Sequence, residues 1–283
     1  GDEAVMTILG VMMVILLPLC VLVTVTQVPE TRNYVSSTTP IAKGFRLMWR
    51  NGPFKRLIAA LMIGSTAFNI TTPLYAFFVG YVLGAPKMTV VMLGFFYTFN
   101  LIGIPFWVWF SNQIGKHRAY AASFMLIGCA HPLYIFHGWG DLWWMIPISM
   151  VSGFAGGAFA ALPNSMKADV IDLDTMMSGD NRSASFFATW SFTAKMSAAV
   201  GGWIALNVLG IIGFDPQLGA GNSEEHMLGL RLLFTIPPAI LFFIAAAIVW
   251  NYPITAARHE RMRATIARRD ARRVAKATAI AVS

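Results

Sequence analysis

The sequence predicts an all-α integral membrane protein that crosses the bilayer seven times. Three observations predict it. Of 283 residues, 57% are hydrophobic and only 12% are charged, about half the charged share of an ordinary soluble domain. The apolar residues come in runs: Val5–Val25 and Leu57–Val82 hold no charge at all. Each run exceeds the ~20 residues a helix needs to cross ~30 Å of hydrocarbon. Closed barrels alternate apolar and polar residues instead, so the runs are helices. Finally, most of the 21 basic residues fall in every second connection, as expected of cytoplasmic loops.

Four stretches follow. Residues 1–28 hold the first span. Its flank is acidic, Asp2 and Glu3, and it has no small-residue cleavage site, so it is not a signal peptide. The chain starts Gly1-Asp2-Glu3 without methionine, which leads us to expect a piece of something longer. Residues 29–54 form a basic connection with Arg32, Lys43, Arg46 and Arg50. Within it Thr39-Pro40 reads as an N-cap and first helical residue. Ile41, Phe45, Met48 and Trp49 then recur at helical spacing, which suits an amphipathic helix on the cytoplasmic membrane surface. An irregular loop is the alternative.

Residues 55–251 hold six further spans: Leu57–Val82, Val90–Phe110, Ala119–Phe136, Leu142–Met166, Ser183–Phe214 and Leu232–Trp250. The turn after the third span carries Lys116 and Arg118, and the expected loop Met166–Arg182 carries Lys167 and Arg182. Gly213–Gly229 reads as a solvated outer loop without metal-ligand spacing. Residues 252–283 are a basic tail, Arg258 to Lys276. The charge pattern puts the tail in the cytoplasm and the first residue outside, in a plasma or inner membrane. A basic tail next to a last span suits anionic lipid rather than nucleic acid. Cys20 and Cys129 lie inside spans, too far apart in sequence to suggest a metal site, and are expected to pack.

Several spans carry a face of small or polar residues: Ser65, Asn69 and Thr72; Tyr97 and Asn100; Gly153, Gly157, Ala161 and Asn164; and Ala188, Ser191, Lys195, Ala198, Ala199 and Gly202. Small faces let helices approach closely. Lys195 needs another reason. It lies about twelve residues into an otherwise uncharged span, where a charge costs at least ~2.5–3.5 kcal/mol. Its small neighbours suit a cavity, and the lysine suits a substrate or ion pathway. A structural lysine paired outside this chain is the alternative. Asp169, Asp172 and Asp174 follow the fifth span against the basic trend. With Arg182 they suit a salt-bridge gate toward another helix bundle, or a solvated turn. His131, before Pro132, suits either a proton relay or an interhelical hydrogen bond. Trp139, Trp143 and Trp144 read as an aromatic belt. No phosphate loop, nucleophile elbow or metal cluster is present, so an enzyme is not expected.

Here the residues resemble a family. Asn51-Gly-Pro-Phe-Lys-Arg-Leu57 resembles the start of the seventh helix in glycoside–pentoside–hexuronide cation symporters, the melibiose-carrier-like branch of the major facilitator superfamily. Gly115-Lys116-His117-Arg118 resembles the superfamily's basic turn between helices eight and nine. The stretch Ala168-Asp169-Val-Ile-Asp172-Leu-Asp174, Gly179-Asp180-Asn181-Arg182, Phe187-Ala-Thr-Trp190-Ser191-Phe192 and Lys195 is similar to the segment joining helices ten and eleven. Ser183 and Ala184 stand where many members have glutamate and glycine.

The resemblance implies helices six to twelve of a twelve-helix symporter, with the N-terminal half absent here. It implies alternating access, a small solute and a coupling cation, Na⁺ or H⁺, with no other cofactor. It places Lys195, Trp190 and Ser191 at sugar or cation sites, and gives Asp169 and Asp172 a gating role. Lysolipid carriers are also relatives, so substrate stays open. A seven-helix receptor or retinal protein is an alternative that the helix count permits, although a retinal lysine belongs on the last span and Lys195 is on the sixth. A non-transporting scaffold is the remaining reading.

Overall fold

The computed structural model describes residues 2–27, 49, 51–178, 182–253 and 265. The expected surface helix after Thr39, the Gly179–Asn181 segment and nearly all of the basic tail lie outside the described residues. Seven described helices are long and apolar enough to cross a membrane, and no strand occurs among the described residues. The all-α, seven-span architecture is therefore what is found.

The chain divides into two units, Gly1–Thr38 and Thr39–Ser283. In the first, α1 spans Asp2–Gln27. It is apolar all round, as a helix surrounded by lipid should be. Thr24 and Thr26 turn their hydroxyls back onto the Cys20 and Leu22 carbonyls, so neither presents a free donor to hydrocarbon. Cys20 is exposed rather than packed.

Among the described residues the second unit is a bundle of six helices. They are α2 (Gly52–Phe77), α3 (Thr89–Ile114), α4 (Lys116–Ala130), α5 (Leu142–Ser178), α6 (Ser183–Ile212) and α7 (Glu224–Trp250). The Asn51 side chain caps α2 by accepting from the Phe54 amide at 3.1 Å, and Pro53 fills a first-turn position that needs no N–H. So Asn51-Gly-Pro belongs to the helix start itself. Pro73 lies inside α2, and a π turn, Phe78–Val82, follows it. Helix α4 passes into a 3-10 stretch at His131–Phe136, where Pro132 supplies no amide. Gly115 makes the turn between α3 and α4 at φ 93°, where a side chain would be strained.

Three elements differ from the sequence reading. Helix α5 runs on to Ser178, so Lys167, Asp169, Asp172 and Asp174 are helical rather than in a loop. At ~1.5 Å per residue α5 is roughly 55 Å long, well beyond the hydrocarbon thickness. Helix α7 begins at Glu224, so Glu224, Glu225 and His226 form its first turn, capped by Ser223. Cys129 is exposed, not packed.

Helix α2 packs on α6 and α7, α3 on α5, and α4 on α5 and α7. In lipid, association rests on close packing rather than on water exclusion. Gly103 and Gly153 permit the α3–α5 crossing. A Cβ on either would strike the backbone of Phe154 or Phe96. Two apolar clusters fill the bundle. One gathers Phe54, Tyr120, Phe124, Phe186 and Phe242. The other gathers Phe78, Tyr134, Phe214 and Phe234, with Phe78 and Phe234 stacked at 4.5 Å. Trp139, Trp143 and Trp144 stand exposed before and at the start of α5, as a belt requires.

Candidate functional site

The residues singled out from sequence fall into three groups. The first lines a cavity of about 500 Å³ where the two apolar clusters meet. Thr72, Tyr97 and Asn100 are on its wall. Thr71, Tyr75, Ser152, His131 and Tyr134 join them, amid the rings of Phe68, Phe96 and Phe159. Thr72 donates to the Phe68 carbonyl at 2.8 Å. His131 is buried, with Nδ1 3.2 Å from the Ile127 carbonyl and Nε2 3.3 Å from the Thr71 hydroxyl. It therefore holds an interhelical contact, one of the two roles its position allowed. The Tyr75 and Ser152 hydroxyls are buried without a protein hydrogen bond.

The second group lies on α6, and here the packing differs from expectation. Helix α6 has two small faces. Thr193, Ser197, Gly201 and Ala205 are buried, and Gly201 abuts Asn69 and the Thr66 carbonyl of α2. Ala188, Ser191, Lys195, Ala198 and Ala199 are exposed in this chain. So the face that carries Lys195 is open and does not bring α6 against α2. Lys195 does not line the cavity, and neither do Trp190, Ser191, Asn164 or Asn69. Asn69 is a packing residue that donates to the Ser65 carbonyl at 2.7 Å.

The third group joins α5 to α6. Lys167 is 5% exposed. Its ammonium donates to Asn164 Oδ1 at 3.2 Å. It also lies 4.2 Å from the centre of the Phe187 ring and 4.8 Å from that of Trp190. Sequence reasoning missed this contact because it ended α5 at Met166. The absence of glycine and proline between Pro163 and Gly179 was the available signal.

The acidic segment pairs inside the bundle. Lys116 Nζ lies 2.8 Å from both oxygens of Asp169, and Arg182 Nη2 lies 2.9 Å from an Asp174 oxygen. Asp169 and Asp174 are buried, and Asp172 is half-buried. Within this chain Asp169 and Asp174 thus already have basic partners. These pairs tie the starts of α4 and α6 to the end of α5. Arg118, beside Lys116, is exposed. Tyr252 is buried nearby, and burial, then the Asp169 charge, pushes its phenol above the usual tyrosine range.

The family model described as MFS/sugar transport protein matches residues 1–256. A sodium-dependent lysophosphatidylcholine symporter of Danio rerio is 26% identical over 226 residues, covering 77% of this chain and 41% of the relative. A sphingosine-1-phosphate transporter of Xenopus tropicalis is 27% identical over 218 residues, covering 76% and 42%. A Salmonella typhimurium protein, provisionally named a sulfoquinovose importer, is 28% identical over 220 residues, covering 77% and 45%. The chain spans less than half the length of these curated relatives, and each is named as a carrier rather than an enzyme. A family match over nearly the whole chain, seven apolar helices and the packed six-helix unit lead to one statement: this chain is a multi-pass membrane protein that belongs to the MFS/sugar transport protein family.

Proposed function

We propose that the chain is the C-terminal transport bundle of a cation-coupled symporter that moves a small solute by alternating access. The observation that carries the reading is Lys195. It is a charged residue about twelve positions into a membrane helix, on a small-residue face that the six-helix unit leaves open. A charge so placed is retained for a partner that arrives there. Trp190 lies just over one turn away and Ser191 lies on the same open face, offering a ring and a hydroxyl to a solute. An opposing N-terminal bundle would close this face into a central pathway. In this reading Thr72, Tyr97 and Asn100 extend the pathway into the cavity.

Asp169, Asp172, Asp174 and Arg182 brace its cytoplasmic end, with Lys116 and Arg118 at the basic turn. The coupling ion is Na⁺ or H⁺. The membrane is the plasma or inner membrane, with the tail inside and bilayer lipid around the bundle. A sugar is the first substrate class. A lysolipid is the second, supported by the match to lysophosphatidylcholine symporters.

The test is uptake by the full-length carrier in proteoliposomes. Sugars and lysolipids are offered in turn, with sodium and proton gradients varied separately. Lys195→Ala should abolish gradient-driven uptake. Uptake and cation dependence unchanged in that variant would remove Lys195 from the mechanism.

A further inference from the structure

Lys167 is a buried cation for which the pathway so far has no use. The residue as a whole is 5% exposed, with its ammonium in a partly buried hydrogen bond. Its hydrogen-bond partner is a neutral amide, Asn164. The described ion pairs are Lys116–Asp169 and Arg182–Asp174, and Lys167 joins neither. Asp169, two residues on, holds Lys116 instead. What remains is the rings of Phe187 and Trp190. A ring face attracts a cation, but less strongly than an anion does in a desolvated site. The covering is thin: Phe187 is 51% exposed and Asn164 is exposed.

The placement adds direction. Phe187, Ser191 and Lys195 follow one another at i, i+4 and i+8 on the open face of α6. The ring covering Lys167 and the base of Lys195 are thus separated by eight residues, roughly 12 Å along the axis. Lys167 thus lies against the ring that begins the Phe187–Ser191–Lys195 line.

We propose that Lys167 is a second anion-binding station. It receives the oxyanion of a solute (a phosphate, sulfonate or carboxylate) passed along α6 from Lys195, and Phe187 and Trp190 hold its ammonium until the anion arrives. This rests on the pathway role given to Lys195. It narrows the substrate to solutes carrying an acidic group, a feature already in the names lysophosphatidylcholine, sphingosine-1-phosphate and sulfoquinovose.

The experiment uses the full-length carrier in phosphatidylcholine nanodiscs and calorimetric titration with hexyl phosphate, glucose 6-phosphate and hexyl glucoside. Lys167→Gln should weaken the preferred anionic probe about tenfold or more, the worth of a charge-assisted contact. Hexyl glucoside binding should not change. Lys167→Arg should stay within about threefold of the native protein, since a guanidinium keeps the charge and stacks on rings. Lys167→Met, which packs against Phe187 and Trp190 without charge, reads the same loss should the glutamine variant misfold.

Preference for hexyl phosphate identifies an amphiphile and preference for glucose 6-phosphate a soluble sugar acid; either, together with its loss in Lys167→Gln, supports the station. Native-like affinity in Lys167→Gln or Lys167→Met overturns it and leaves Lys167 as a strut between α5 and α6. Anion binding lost in Lys195→Gln but kept in Lys167→Gln also overturns it, while leaving the Lys195 pathway standing. A native carrier that transports a neutral sugar and binds neither anion overturns the station alone.

Discussion

Lys116 Nζ sits 2.8 Å from each carboxylate oxygen of Asp169, a two-pronged contact that ties the first residue of α4 to the last turns of α5. The lysine side chain is 34% exposed and the carboxylate 9%. The pair therefore lies between a surface bridge and a buried one. Solvent reaching the ammonium screens it, so its worth stays near the upper end for exposed pairs. A double-mutant cycle with Lys116→Met and Asp169→Asn should show both single variants destabilised. The double variant should be less destabilised than their sum, by about 0.5–1 kcal/mol. Thermal unfolding of the protein in detergent measures this. Strict additivity would mean that the contact does not couple the helices.

Tyr252 lies behind that pair, buried, with its hydroxyl lacking a hydrogen-bond partner. Burial first, and the Asp169 charge second, hold its phenol protonated well past the usual range. The unfolded chain ionises this tyrosine near pH 10. Above that pH the unfolded state binds fewer protons than the folded state, so stability falls as pH rises. Tyr252→Phe removes both the unpartnered hydroxyl and this contribution. The variant should be at least as stable as the native protein at pH 7. Its loss of melting temperature between pH 9 and about pH 11 should be smaller. An identical alkaline decline in the two proteins would show that Tyr252 ionises freely.

The seven spans were legible because hydrocarbon imposes a rule that the sequence cannot evade: ~20 residues without charge. The position of Lys195 was legible for the same reason. The packing of α6 was not. Thr193-Ser197-Gly201-Ala205 and Ala188-Ser191-Lys195-Ala199 both recur at three- or four-residue helical spacing and are mostly small, so periodicity alone does not say which face meets α2. The Lys167 contact was hidden by the change of solvent at the bilayer surface. Hydropathy drops where Lys167, Asp169, Asp172 and Asp174 enter, but helical hydrogen bonding continues to Ser178. The cavity, too, was only partly visible. Thr72, Tyr97 and Asn100 were readable as polar residues on apolar helices, whereas Tyr75, Ser152 and Tyr134 come together only where α2, α5 and the 3-10 stretch after α4 meet.

Two adjacent glycines on α6 should respond in opposite ways to the same substitution. A Cβ at Gly201 would lie 2.6 Å from Asn69 Cβ and 2.8 Å from the Thr66 carbonyl, both on α2. The carbonyl is backbone and does not rotate away, so Gly201→Ala must push the helices apart, at a cost of about 1–3 kcal/mol. At Gly202 nothing lies within 4 Å. Gly202→Ala should leave stability unchanged or raise it slightly through better helix propensity, by up to ~1 kcal/mol. Melting temperatures of the two variants check this. A tolerated Gly201→Ala would contradict the α2–α6 crossing.

The same two faces of α6 make a prediction for labelling. Ser191 is exposed and Ser197 is fully buried, its hydroxyl turned onto the Thr193 carbonyl at 2.8 Å. Cys20 and Cys129 are free and exposed, so they must first be replaced by alanine. In that background, Ser191→Cys should react with a small, charged methanethiosulfonate reagent in membranes. Ser197→Cys should stay silent until the protein is denatured. Reaction at 191 from water would show that the open face borders an aqueous pathway, since a lipid-facing thiol is shielded from a charged reagent. A transported solute should slow that reaction by occupying the space beside Ser191. Failure of Ser191→Cys to react from either side of the membrane would place this face in lipid, and the pathway would then have to be sought at the Thr72–Asn100 cavity instead.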